Sequence, residues 1–187
     1  MHNRKILIIG EVYVDQHLDI IENGYSTSRL GGIFHAARSC DALNIEYALA
    51  YYAPDYLVKD VEKFGIDVLR ASSIFRLGKV DKAPNVMLIG QSDESGNQLY
   101  ENILGRQAEY VSMLPFMQVL DDFDPTDIII FPGRYGNAGI LSNLSNYEGK
   151  IHIDMNYDCD DILDLDTIKI QTAVSYTHLT LPTILLV

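Results

Sequence analysis

Short apolar runs alternate along the chain with stretches of helical period. Lys5-Ile6-Leu7-Ile8-Ile9-Gly10 is short, branched and closed by glycine, which predicts a buried strand. Val12–Ile21 alternates loosely and predicts a second, more exposed strand. Gly31-Gly32 opens Ile33–Leu43, where Phe34, Ala37, Cys40 and Leu43 share one helical face. Tyr47–Tyr52 predicts a strand. Pro54-Asp55 starts a helix over Tyr56–Phe64, with Leu57, Val61 and Phe64 at helical spacing. Gly65 ends that helix, and Asp67–Leu69 begins another strand.

In the middle of the chain the rhythm changes. Val86–Gln91 and Gln98–Leu104 are extended segments joined by the polar link Ser92-Asp93-Glu94-Ser95-Gly96-Asn97, which predicts a hairpin. The β–α rhythm then returns: helix over Met113–Leu120, strand over Asp127–Phe131, helix over Ala138–Leu144, strand over Lys150–Asp154. An acidic turn or helix and an extended Thr167–Gln171 follow. Strands alternating with helices predict an α/β fold, a parallel sheet covered on both faces. The hairpin and the strand after Gly10 fall outside the rhythm and predict a small accessory sheet. No internal repeat and no low-complexity linker interrupts the pattern.

Composition narrows the function. The 187 residues hold 14 basic and 26 acidic side chains, a formal charge of 14 − 26 = −12. An acidic chain without a basic patch argues against nucleic acid and anionic membranes as partners. No run approaches the ~20 apolar residues of a membrane span, and Met1–Lys5 leads straight into Ile6–Ile9 without a signal-peptide pattern. Cys40 and Cys159 lie far apart, so the expectation is two buried, inert thiols in a reducing cytoplasm. The histidines at 2, 17, 35, 152 and 178 lack zinc-type spacing. Asp154, Asn156 and Asp158 match the first ligands of an EF-hand loop. Cys159 then replaces its turn glycine and Leu165 its bidentate Glu, so a solvated acidic turn is expected and no metal site is assigned.

Two constellations could carry chemistry. In Gly10-Glu11-Val12-Tyr13-Val14-Asp15 a carboxylate follows the first strand, at the sheet edge where open α/β folds bind ligands. It could accept hydrogen bonds from the hydroxyls of a sugar-like ligand, or be a turn Asp with no ligand. In Leu30-Gly31-Gly32-Ile33-Phe34-His35-Ala36-Ala37-Arg38 two glycines permit close backbone approach before a helix N-terminus. Taken singly, that segment is equally an ordinary loop, and His35 a packing residue.

Taken together, in this order and spacing, these segments and the Val86–Leu104 hairpin resemble the N-terminal half of the ribokinase-like (PfkB) carbohydrate kinase family. The resemblance spans about Lys5 to Ala173, slightly over half of a full family domain. It implies a ribokinase-like parallel-sheet sandwich with a small β lid (strands about 12–30 and 86–104), truncated C-terminally. The family uses ATP and Mg²⁺ to phosphorylate a hydroxyl of a sugar, nucleoside or related small molecule, and its lids often pair into homodimers. Asp15 falls where members bind substrate hydroxyls, and Gly31 and Gly32 where backbone closes over the substrate. His35 falls near a position where many members carry Asn. Arg134, in the Gly133-Arg134 turn, falls at another substrate contact and would suit an acidic or phosphorylated group. Asn156 falls on the nucleotide side.

The family's catalytic Gly-Ala-Gly-Asp-like segment is absent: no Gly-x-Gly-Asp occurs in the 187 residues, and the family's downstream Asn-x-x-x-Glu element is missing too, the Asn97–Glu101 spacing lying in the hairpin. No catalytic residue is therefore assigned, and the chain alone is expected to be inactive. The expected parent is a kinase, with this chain as its substrate-binding and lid half. The alternative is a non-catalytic α/β binding protein for a sugar-like molecule. A Rossmann dehydrogenase is disfavoured because Gly10-Glu11-Val12-Tyr13 lacks the Gly-x-Gly-x-x-Gly turn. Residues 174–187 carry no Asp, Glu, Lys or Arg. They resemble translated sequencing-adapter read-through, so native sequence is expected to stop near Ala173.

Overall fold

The computed structural model describes residues 4–18, 26–92, 98–103, 107–131, 140, 143–144, 147–154 and 172–174. The first strand, β1 (Lys5–Glu11), ends one residue later than its apolar run, so Glu11 is the last rung of the ladder. The chain then leaves the main sheet through Val12-Tyr13 and forms β2 (Val14–Leu18) and β3 (Ser26–Leu30). It returns through Gly31-Gly32 into α1 (Phe34–Ala42) and β4 (Glu46–Ala53). A 3₁₀ turn (Asp55–Leu57), α2 (Val58–Lys63) and a π-helical turn (Phe64–Val68) lead to β5 (Ser73–Asp81). β6 (Val86–Ser92) and β7 (Gln98–Ile103) form the expected hairpin. Then come β8 (Glu109–Ser112), α3 (Phe116–Phe123), β9 (Asp127–Ile130), β10 (Lys150–Asp154) and β11 (Thr172–Val174).

Two sheets result. The main one has the order β11-β10-β9-β1-β4-β5-β8, and the smaller one β3-β2-β6-β7. All pairs of the main sheet are parallel except β5–β8. Side chains of a strand alternate between faces, so a parallel sheet with apolar strands buries both. In β1, Leu7 and Ile9 face the cluster that takes Phe116, Val119 and Phe123 from α3. Ile6 and Ile8 face the cluster that takes Phe34, Ala37 and Cys40 from α1 and Val61 from α2. β1 is central, with β4 on one side and β9 on the other. The order reverses beside it, and such switch points are where open α/β sheets bind ligands.

Several expectations need correction. Asp67–Leu69 is not strand: the backbone continues past Gly65 in a wide turn, with Leu69 N–H donating to Phe64 O at 3.0 Å. A Cβ on Gly65 would lie 2.5 Å from Ile74 Cδ1, so glycine here lets the turn lie on β5 and does not stop the helix. Helix α3 starts at Phe116, not Met113, because Pro115 disfavours helix before it; it ends at Asp124, whose φ is +51°. Leu43 caps α1 and is exposed, off the buried face. Strand β8 carries no apolar alternation because it is a largely exposed edge strand. Thr172–Val174 form β11 at the edge of the main sheet, with Val174 opposite Asp154. Residues 175–187 and the expected extended 167–171 lie outside the described residues, as does most of 138–144, where Ile140 and Leu144 are buried.

Candidate functional site

The first two connections between the sheets, Val12-Tyr13 and Gly31-Gly32, run beside the C-terminal edge of β1, and there the polar groups gather. Asp15 lies on β2, its side chain only 6% exposed. The Oδ2 atom is 2.9 Å from His35 Nε2, in the first turn of α1. Arg29 stands opposite Asp15 in the β2–β3 ladder, so the two share a face of the small sheet; its Nε is 3.6 Å from the same oxygen. His35 and Arg29 are 43% and 51% exposed and flank the carboxylate. His17 shares that face two residues along, and its Nε2 is buried without a partner.

Two glycines make the geometry possible. A Cβ on Gly31 would stand 2.1 Å from Asp15 Oδ1 and 2.3 Å from its Oδ2. Gly32 has φ +61° and its Cβ would meet the Glu11 carbonyl oxygen at 2.1 Å. Gly31 N–H donates to Tyr13 O at 2.8 Å and Ile33 N–H to Glu11 O at 3.1 Å, which zips the helix entry onto the crossover. The two glycines thus fit this backbone to itself and to Asp15, a requirement that stands without any ligand.

A second buried carboxylate, Glu11, was not singled out by sequence. Its oxygens accept from Tyr13 Oη and Tyr110 Oη, each at 2.8 Å, and from Asn85 Nδ2 at 3.2 Å. Asn85 is buried with φ +48°; its amide also donates to Val12 O at 3.0 Å, and its own carbonyl accepts from Val14 N–H at 2.8 Å. Glu11 and Asn85 therefore tie together the two strands that enter the small sheet. The available sequence signal was a carboxylate directly after a strand-closing glycine; Asn85 and Tyr110 are remote in sequence and gave none.

Arg38 completes the cationic side. Its Nη2 donates to Leu30 O at 2.7 Å, and the guanidinium lies 5.4 Å from the Phe64 ring. Burial, then the like charge of Arg29, lowers its pKa, while Asp15 raises it. The structure thus brings Asp15, Gly31, Gly32 and His35 to one place. Arg134 and Asn156, and with them the acidic run after Asp154, lie outside the described residues. Among the described residues no group of three metal-ligating side chains gathers, and no helix is long and apolar enough to cross a membrane.

No protein-family profile and no curated protein matches this sequence. Solved structures do. Ribokinase from Giardia lamblia is similar with TM-score 0.61 at 16% identity over 88% of this chain and 54% of its own. A PfkB family carbohydrate kinase from Listeria grayi gives 0.57 at 12% identity, over 87% and 55%. An uncharacterized sugar kinase from Pyrococcus horikoshii gives 0.54 at 14%, over 83% and 54%. The fold is therefore ribokinase-like, a parallel α/β sandwich with a second small sheet. The chain spans about half the length of these structures.

Proposed function

We propose that this chain is the substrate-binding and lid half of an ATP-dependent kinase that phosphorylates a hydroxyl of a sugar, nucleoside or related small molecule. The observation that carries the reading is the buried carboxylate of Asp15, held on a lid strand by His35 over the C-terminal edge of β1. A carboxylate so placed accepts a hydrogen bond from a substrate hydroxyl and fixes its orientation, and positioning is a large part of phosphoryl transfer. The protein with the matching fold from Pyrococcus horikoshii has also been solved in complex with ATP, at TM-score 0.52, which supports ATP as phosphoryl donor. The work proposed for this chain is acceptor binding and orientation, in a cytoplasmic enzyme.

Calorimetric titration of the 187-residue chain with a panel of neutral and anionic sugars and nucleosides tests the reading. Binding that Asp15→Asn weakens at least tenfold supports it; absence of binding by every member refutes it. The second reading is a binding protein that takes the same ligand through Asp15 without catalysis. The genomic coding sequence downstream of this segment, read from an independent clone, separates the two: a continuation carrying a Gly-x-Gly-Asp segment supports the kinase, and a stop codon the binding protein.

A further inference from the structure

The Asp15 carboxylate is engaged through one of its two oxygens. His35 Nε2 at 2.9 Å and Arg29 Nε at 3.6 Å both meet Oδ2, and Oδ1 accepts from no donor among the described residues. An ionised carboxylate only accepts hydrogen bonds. The 2.9 Å contact therefore requires a proton on His35 Nε2, and Asp15 fixes the tautomer of the neutral imidazole. In that tautomer Nδ1 carries a lone pair and no proton.

His35 stands in the first turn of α1 with 43% of its side chain exposed, and its ring has no other partner among the described residues. The pair thus offers a ligand two acceptors, Asp15 Oδ1 and His35 Nδ1, and no donor of its own. A hydroxyl satisfies an acceptor by donating to it; a carbonyl or ether oxygen cannot. An asparagine in place of His35 would offer N–H as well as oxygen and take either kind of group.

We infer that His35 is a specificity-determining residue, whose Nδ1 accepts a hydrogen bond from a second hydroxyl of the molecule that Asp15 Oδ1 holds by a first. This inference rests on the reading of Asp15 as a binder of substrate hydroxyls and adds a requirement to it. Two hydroxyls of one sugar must both be free to donate, so a deoxy, O-methyl or oxo analogue at either position is disfavoured. A site built to pair a hydroxyl discriminates against the analogue that lacks it, because a polar group is then left unpaired.

Two measurements test this. The first needs no ligand: ¹⁵N NMR of the histidine rings of the 187-residue chain at pH 8, with His35 assigned through its loss in His35→Gln. Its Nε2 should carry the proton and its Nδ1 should be bare; a proton on Nδ1 would overturn the inference and leave the reading of Asp15 standing. The second is calorimetric titration with ribose and glucose and with their deoxy analogues, one hydroxyl removed at a time. Two positions should matter, one weakening binding on the order of tenfold or more, at the carboxylate, and one about threefold to tenfold, at the imidazole. His35→Phe keeps a ring and removes both nitrogens, so the smaller penalty should vanish while the larger one stays. Circular dichroism melts show whether that variant is folded, and His35→Gln serves if it is not. A single sensitive position in the wild type, or two penalties unmoved by the substitution, would overturn the inference and spare the kinase reading. Binding by neither sugar would overturn both.

Discussion

Replacing Gly31 by alanine probes the contact that joins fold and site. Gly31 is outside the left-handed region, so alanine has no backbone penalty there. Its lower unfolded-chain entropy would stabilise by about 0.4–1 kcal/mol. Against this, the new Cβ would stand 2.1 Å from Asp15 Oδ1, and 2.3 Å from both Cγ and Oδ2. Relief needs a shift of roughly 1 Å. Asp15 sits on β2, clamped between β3 and β6, and cannot retreat without stretching its 2.9 Å contact to His35. Overpacking of this kind costs about 1–3 kcal/mol or more, a fall in Tm of about 2–4 °C per kcal/mol at this size. All three clashing atoms belong to the carboxylate. Asp15→Ala should therefore absorb most of the cost of Gly31→Ala, leaving a coupling of about 1–3 kcal/mol in a urea-unfolding double-mutant cycle. Costs that add to within about 0.5 kcal/mol would refute the contact. Gly32→Ala is the control: its φ of +61° and its clash with the Glu11 backbone carbonyl persist whatever residue stands at 15.

Three further outcomes are expected. Glu11→Ala removes the acceptor shared by Tyr13, Asn85 and Tyr110 and should cost about 2–4 kcal/mol; amide hydrogen exchange should quicken more in β2 and β6 than in β1 and β4, and uniform quickening would contradict the role of Glu11 as the tie between β2 and β6. For Asp127, burial alone would raise the pKa, but Arg4, Thr126 and His152 outweigh it and leave the carboxyl below its ordinary 3.8. A depressed folded pKa means its stabilisation is present above the unfolded pKa and is lost as pH falls through the folded one. Chemical unfolding from pH 6 to pH 2 should thus show a shallower acid loss for Asp127→Asn than for wild type. Burial pushes the Cys40 thiol up to about 11, so at pH 8 Cys40 should react with a thiol reagent slowly while folded and fast in denaturant, as peptide mapping would show.

The layered fold was legible from the chain because burial imposes a period. Ile6–Ile9, Tyr47–Tyr52 and Ile128–Phe131 are covered on both faces and so are continuously apolar, and α1 shows its face through Phe34, Ala37 and Cys40. Asp15, Gly31, Gly32 and His35 were legible as candidates through their spacing. Elements without a buried period were not: exposed β8 lacks the alternation, and the π-helical turn after α2 depends on how Gly65 meets Ile74. Only tertiary structure could pair β2 with β6 in parallel or set Asn85 and Tyr110 on Glu11, because those partners are 74 and 99 residues away and no local periodicity encodes a long-range hydrogen bond. It likewise gave the two glycines their reason, since what forbids a side chain there is the Asp15 carboxylate and the Glu11 carbonyl, brought close where the chain leaves β1 and returns from β3.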